Sequence, residues 1–225
     1  MNLSLFISFV WASITYVLYL TFMIVPDEKI MGPVQRIFYF HVPAAFAGYL
    51  ALAFLLIGAL SYLATHNPKF DALQRSAAEV GFLFISLNLF TGMIWGNAAW
   101  GTPFTLEPRL VSSLLLWLLL LSLNVFRSFG DSPKLPTHIA ALGIMTCMTV
   151  PVVIYSIKLL PQFQQLHPQV VQKGGLPDPM MRHAFYVGSF AIMALGIALV
   201  WLRYKVTWLQ YQLADIAKTM GERPS

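Results

Sequence analysis

The stretch HVPAAFAGYLALAFLLIGALSYLA, residues 41–64, contains no Asp, Glu, Lys or Arg. An α-helix rises 1.5 Å per residue, so about 20 such residues cross the roughly 30 Å hydrocarbon core of a bilayer. This stretch is therefore long enough to span a membrane. Working outward, five more charge-free stretches appear at residues 3–25, 80–95, 110–126, 139–157 and 184–202. Together they predict an all-α integral membrane protein with six transmembrane helices in one domain, followed by a tail at 203–225. Composition agrees. Of 225 residues, 58% are hydrophobic and 10% charged, and the mean hydropathy is +0.69. Soluble domains hold about 25% charged residues, so a soluble enzyme and a disordered tail are both excluded. A single cysteine, Cys147, excludes internal disulfides, Cys-rich metal sites and covalent C-x-x-C-H heme attachment.

The net charge of +5 does not point to nucleic acid, because the basic residues form no cluster. They lie singly or in twos between apolar runs, as at membrane edges. Six spans place both termini on one side. That side holds eight of the 14 Lys and Arg residues and the other side six, which favours cytoplasmic termini. The first span lacks a preceding basic residue and a following small-residue cleavage pattern, so it is expected to be a retained helix. After the last span, Val206, Leu209, Leu213, Ile216 and Met220 recur every three or four residues. This spacing predicts a short cytoplasmic amphipathic helix, lying on the membrane surface or against a partner.

Parity gathers the informative residues on the opposite face. His41 opens the second span, with Pro43 suited to its first turn. The segment WGNAAWGTPFTLEPRL, residues 95–110, joins spans three and four. In it, Trp95-Gly96 and Trp100-Gly101 pair an indole with a residue lacking Cβ, which lets a flat ligand approach the backbone. Phe104 and Leu106 add apolar area. An interfacial aromatic belt explains the tryptophans equally well. His167 lies in the last loop, on the same face. Two solvated histidines are one reading of His41 and His167; two axial ligands to a heme are the other. In the second case Arg36 and Arg109 are placed to meet the anionic propionates. His183, Met180 and Met181 have no assigned role.

What is missing narrows the field. No span carries a charge at depth, as ion-coupled transporters do. There is no phosphate loop, no H-E-x-x-H and no G-x-S-x-G, so no enzymatic activity is expected. Asn88 and Asn124 are expected to hydrogen-bond between helices, and Gly92 with Gly96 matches a small-xxx-small packing pattern.

Six spans, the Arg-x-x-Tyr-x-His-Val-Pro element from Arg36 to Pro43 (with Tyr39 and His41) and the segment from Trp95 to Leu110 resemble a known family. It is the cytochrome c maturation protein C, or heme exporter protein C, family of the heme-handling superfamily with a tryptophan-rich (WWD) loop. The similarity runs from the first span to about residue 202, and includes the segment around Tyr155 and Leu166-His167-Pro168. It implies that His41 and His167 are axial ligands to heme iron on the periplasmic side. It implies also that Trp95, Gly96, Trp100, Gly101, Arg109 and Leu110 cradle the macrocycle. The chain departs from the family at Pro103 and Leu106, while Phe104 and Glu107 keep its aromatic and acidic character. The resemblance further implies a bacterial inner-membrane protein that holds heme b noncovalently and transiently for cytochrome c biogenesis. The implied partners are ABC transporter subunits, a small single-span subunit and a periplasmic heme chaperone that receives the heme. Two rivals remain: a b-type cytochrome subunit for electron transfer, and a non-heme permease or assembly subunit. A synthase of the same superfamily fits less well, because such relatives are longer.

Overall fold

A computed structural model describes residues 3–130, 132–160, 162 and 175–221. Six helices follow in order: α1 Leu3–Tyr19, α2 Phe38–Thr65, α3 Pro68–Trp100, α4 Pro108–Phe129, α5 Leu135–Leu159 and α6 Pro179–Thr219. Each, α1 together with the turn that extends it, is long and apolar enough to cross a membrane. The chain is thus an all-α multi-pass protein, as the charge-free stretches predict. A π-helical turn, Leu20–Ile24, extends α1, and a 3-10 turn, Pro33–Ile37, leads into α2.

The helices start where their backbone chemistry allows, not where the charges stop. Proline is the first residue of α3, α4 and α6 and the second of α5, within the first turn where its missing N–H costs no hydrogen bond. Asn67 and Asp178 cap α3 and α6 by accepting from the amides of Lys69, at 3.0 Å, and Met180, at 2.6 Å. Consequently α3 begins twelve residues before the third charge-free stretch.

The bundle is organised on α2, which packs against α3, α5 and α6. One stripe of α2 is small: Ala44, Ala47, Gly48, Ala51, Gly58 and Ala59 are all buried. Glycine is required at Gly58, where a Cβ would lie 2.9 Å from the Gln74 backbone nitrogen. At Gly48 a Cβ would lie 2.7 Å from Ile85 Cδ1, so that side chain would have to move. The facing pairs run in opposite directions along the two helices, so α2 and α3 form an antiparallel hairpin closed by His66 in the left-handed region (φ 50°).

A polar network ties the bundle near this turn. Asp71 on α3 receives Arg127 from α4 (Nη2 at 2.7 Å, Nη1 at 3.2 Å), the Tyr211 hydroxyl from α6 at 2.7 Å and Gln74 Nε2 at 2.7 Å. Further hydrogen bonds join Ser76 to Thr207 at 3.2 Å and Arg203 to Glu79. These contacts change the reading of the tail. Residues 203–219 are not a separate helix on the membrane surface; they continue α6 without a break. At 1.5 Å per residue its 41 residues extend about 60 Å, well beyond a bilayer core. The polar side of the extension is bound to the early turns of α3. Its apolar stripe, Val206, Leu209, Leu213, Ile216 and Met220, stays exposed.

The seam predicts a contrast between two glycines. Gly58→Ala forces a methyl against the α3 backbone and should cost about 1–3 kcal/mol. Gly81→Ala meets only ordinary contacts, the nearest 3.7 Å away, and should leave the thermal midpoint in detergent unchanged or higher.

Candidate ligand-binding cleft

The first turns of α2, the end of α3, the start of α4 and facing parts of α5 and α6 enclose a cleft of about 690 Å³. Five of the predicted side chains line it: His41, Trp95, Trp100, Phe104 and Arg109, with Leu110 beside them. Most remaining wall residues are apolar, among them Val42, Phe46, Met93, Ile154, Phe185 and Phe190. Among the described residues α5 and α6 both pack on α2 but barely on each other. The wall is therefore open on that side, and Phe190 is 59% exposed.

His41 sits deeper than the sequence suggests. Because the 3-10 turn precedes α2, His41 is the fourth residue of the helix and not its cap, and Pro43 lies inside the helix. Its imidazole rests against α3. His41 Nδ1 is 3.1 Å from Thr91 Oγ1, and Asn88 Nδ2 donates to the His41 carbonyl at 3.0 Å. Gly92 makes room for the ring: a Cβ there would lie 2.9 Å from His41 Cε1.

The tryptophan-rich segment is largely helical. α3 continues through Trp100 and ends at Gly101, whose φ of +72° suits the left-handed helix cap that glycine adopts freely. The connecting loop is only residues 101–107. Trp95 and Trp100 meet edge to face with centroids 5.4 Å apart. Gly96, buried behind them, leaves space for the Trp100 ring, which would otherwise stand 3.1 Å from a Cβ. Glu107 is buried at the start of α4 and does not line the cleft.

Arg109 reaches from α4 to α5, where its Nη2 donates to the Ile154 carbonyl at 3.0 Å. Its Nε–H is buried and has no hydrogen-bond partner among the described residues. A cationic donor is thus held at the cleft wall. Lys158, which the sequence did not single out, lines the same cleft, with its Nζ 6.0 Å from the Tyr155 ring centroid. Arg36 is not brought there. It pairs with Asp27 at 2.9 Å and lines a smaller hollow with Phe22 and Phe40. His167 lies outside the described residues. His183 is exposed and faces α1, with Nε2 3.3 Å from the Tyr16 hydroxyl; Met180 is exposed and Met181 buried.

Asn88, Thr91 and Gly92 escaped the sequence reading as site residues. Their signal was a polar pair and a glycine spaced three and four residues apart, on one face of an otherwise apolar span. Asn88 does hydrogen-bond between helices as expected, but its target is His41. Asn124 behaves as expected too, donating to the Ala78 carbonyl of α3 at 3.4 Å.

The donor set speaks to the kind of ligand. Among the described residues no group of three or more His, Cys, Asp or Glu gathers to hold a bare metal ion. One imidazole in an apolar, aromatic slot, with a cation at its rim, suits a planar group that carries its own metal and its own anions. A heme fits these residues, and the cleft volume falls within the roughly 300–1,000 Å³ common for small-molecule sites.

Known proteins point the same way. Heme exporter protein C of Escherichia coli K12 is 26% identical over 87% of this chain and 81% of its own length. The protein of the same name from Bradyrhizobium diazoefficiens is 30% identical over 59% of this chain and 51% of its own. A ccmC-like mitochondrial protein of Marchantia polymorpha, named for cytochrome c biosynthesis, is 30% identical over 67% of this chain. The match spans 64% of the Marchantia protein and about half of the Bradyrhizobium one. The family described as heme exporter protein C matches residues 2–218, nearly the whole chain including the cleft. On that match the chain belongs to the heme exporter protein C family.

Proposed function

We propose that this chain binds heme in the cleft and presents it for delivery in cytochrome c biogenesis. The observation that carries the reading is convergence: an imidazole from α2, two indoles from α3 and a guanidinium from α4 line one apolar cleft. In this reading His41 supplies one axial ligand and His167 the other. Trp95, Trp100 and Phe104 lie against the macrocycle, with Gly96 and Gly101 shaping the helix end that carries them. Arg109 and Lys158 meet the propionates, which takes over the part expected of Arg36. The ligand is heme b, held noncovalently, because Cys147 is buried in the bundle with its thiol directed to the Leu52 carbonyl at 3.2 Å.

The same reading places the cleft on the periplasmic face of a bacterial inner membrane and both termini in the cytoplasm, supported by the eight-to-six split of basic residues. ABC transporter subunits and a small single-span subunit are the partners within the membrane, and a periplasmic heme chaperone takes the heme. The chain itself carries out no covalent step. A resident b-type heme for electron transfer is the second reading, favoured by the position of His41 inside α2. It predicts heme that stays bound in the presence of excess apomyoglobin, whereas delivery predicts its transfer.

Hemin titration of the full chain in detergent, read by absorption in both oxidation states, tests the assignment. His41→Ala and His167→Ala should each weaken binding at least about tenfold, or 1.4 kcal/mol; an unchanged Soret band in both would sink the ligand assignment. Gly92→Ala pushes on the imidazole without removing it. It should lower heme occupancy while leaving the helical circular dichroism intact.

A further inference from the structure

Thr91 has one hydroxyl proton, and its geometry decides where that proton goes. Oγ1 lies 2.6 Å from the Leu87 carbonyl one turn back and 3.2 Å from the Asn88 carbonyl. Both are pure acceptors, so the proton is committed to the helix backbone. The remaining lone pairs of Oγ1 face His41 Nδ1 at 3.1 Å. Two acceptors gain nothing from each other at that distance, so Nδ1 must carry the ring proton. Neutral imidazole has only one, which leaves Nε2 with the lone pair.

Asn88 anchors His41 from a second position. Its Nδ2 donates to the His41 carbonyl at 3.0 Å, which fixes the orientation of the amide. The same Nδ2 lies 3.4 Å from both ring nitrogens. Equidistant from the two, this amide holds the residue against α3 without choosing between the nitrogens, so the tautomer is set by Thr91 and Nε2 keeps its lone pair. Gly92, without a Cβ, leaves the ring the room it needs against α3.

We infer that Thr91 is a positioning residue: it fixes the Nδ1–H tautomer of His41 and so reserves Nε2 for the iron. The inference rests on the reading of His41 as a heme ligand. A metal-bound histidine gains basicity and a fixed orientation when its other nitrogen donates to an acceptor. Here a threonine hydroxyl, anchored to its own helix, takes the place a carboxylate or carbonyl oxygen often fills.

The test uses the full chain in detergent with hemin as the probe. Thr91→Val keeps the branched shape and removes the acceptor; it should weaken hemin binding about 10–100-fold and shift the midpoint potential of the bound heme. Thr91→Ser restores the acceptor and should return both values close to the parent. Failure of Thr91→Ser to rescue would show that shape, not the hydrogen bond, matters, and would overturn the inference. So would parental affinity and potential in Thr91→Val while His41→Ala still loses heme. If His41→Ala itself binds hemin like the parent, the heme-ligand reading falls and the inference with it. The ¹⁵N spectrum of the His41 ring in the unsubstituted protein needs no folded variant: an unprotonated Nε2 supports the inference and an unprotonated Nδ1 overturns it.

Discussion

The close approach of α2 to α3 is the constraint on which the rest of the molecule depends. Between apolar helices in lipid, burying more apolar area gains little, so packing distance and interhelical hydrogen bonds decide association. Here Gly48 and Gly58 bring the two backbones together where a methyl group would collide with α3. The same seam, followed to its far end, brings His41 against Asn88, Thr91 and Gly92. A shared contact surface thus sets both the stability of the hairpin and the geometry of the imidazole. Had α2 and α3 been held apart by larger side chains, Thr91 would not reach Nδ1.

At the opposite end the problem is reversed. Charges that could not enter the hydrocarbon core are gathered into the Asp71–Arg127–Tyr211 network, which joins α3, α4 and α6. Asp71 is 5% exposed, and a buried carboxylate is tolerated only when its oxygens are this well supplied with donors. The network explains why α6 runs on past the bilayer. Its polar side finds Ser76, Glu79 and Asp71 on the early turns of α3, so the extension stays aligned with the bundle. A helix lying in the membrane surface would have to give up all three contacts.

The fold was largely legible because charge-free length is a direct physical requirement of crossing a bilayer. Helix boundaries were not, because exclusion of charge marks the hydrocarbon, whereas helices begin at caps and prolines. Asn67-Pro68 and Asp178-Pro179 were readable signals of that kind. The tryptophan segment was legible in content but not in conformation: its place between two charge-free stretches suggests a loop, yet Gly96 serves packing within α3 and only Gly101 ends the helix. Arg36 shows the limit of parity. It falls on the expected face, but Asp27, nine residues earlier, claims its guanidinium, and no spacing rule reports such a pairing. Lys158 is the converse. It lies at the end of α5, far in sequence from His41 and the tryptophan segment, and only tertiary packing brings it to the cleft.

The distribution of polar groups in the cleft has a further consequence. With apolar walls, each polar atom present must be paired or must await a partner, because an unsatisfied group in a low-dielectric site is costly. His41 is held by α3 on one side, and the Arg109 guanidinium is tied to the α5 backbone through Nη2, leaving its buried Nε–H without a partner among the described residues. An anion at the rim would supply such a partner. On the proposed reading, a flat apolar molecule without carboxylates would fill the volume and still leave that donor without an anion. The proposed recognition of an amphipathic planar ligand thus rests on one imidazole held against α3 and one guanidinium with a donor to spare among the described residues, set at different points of the same apolar wall.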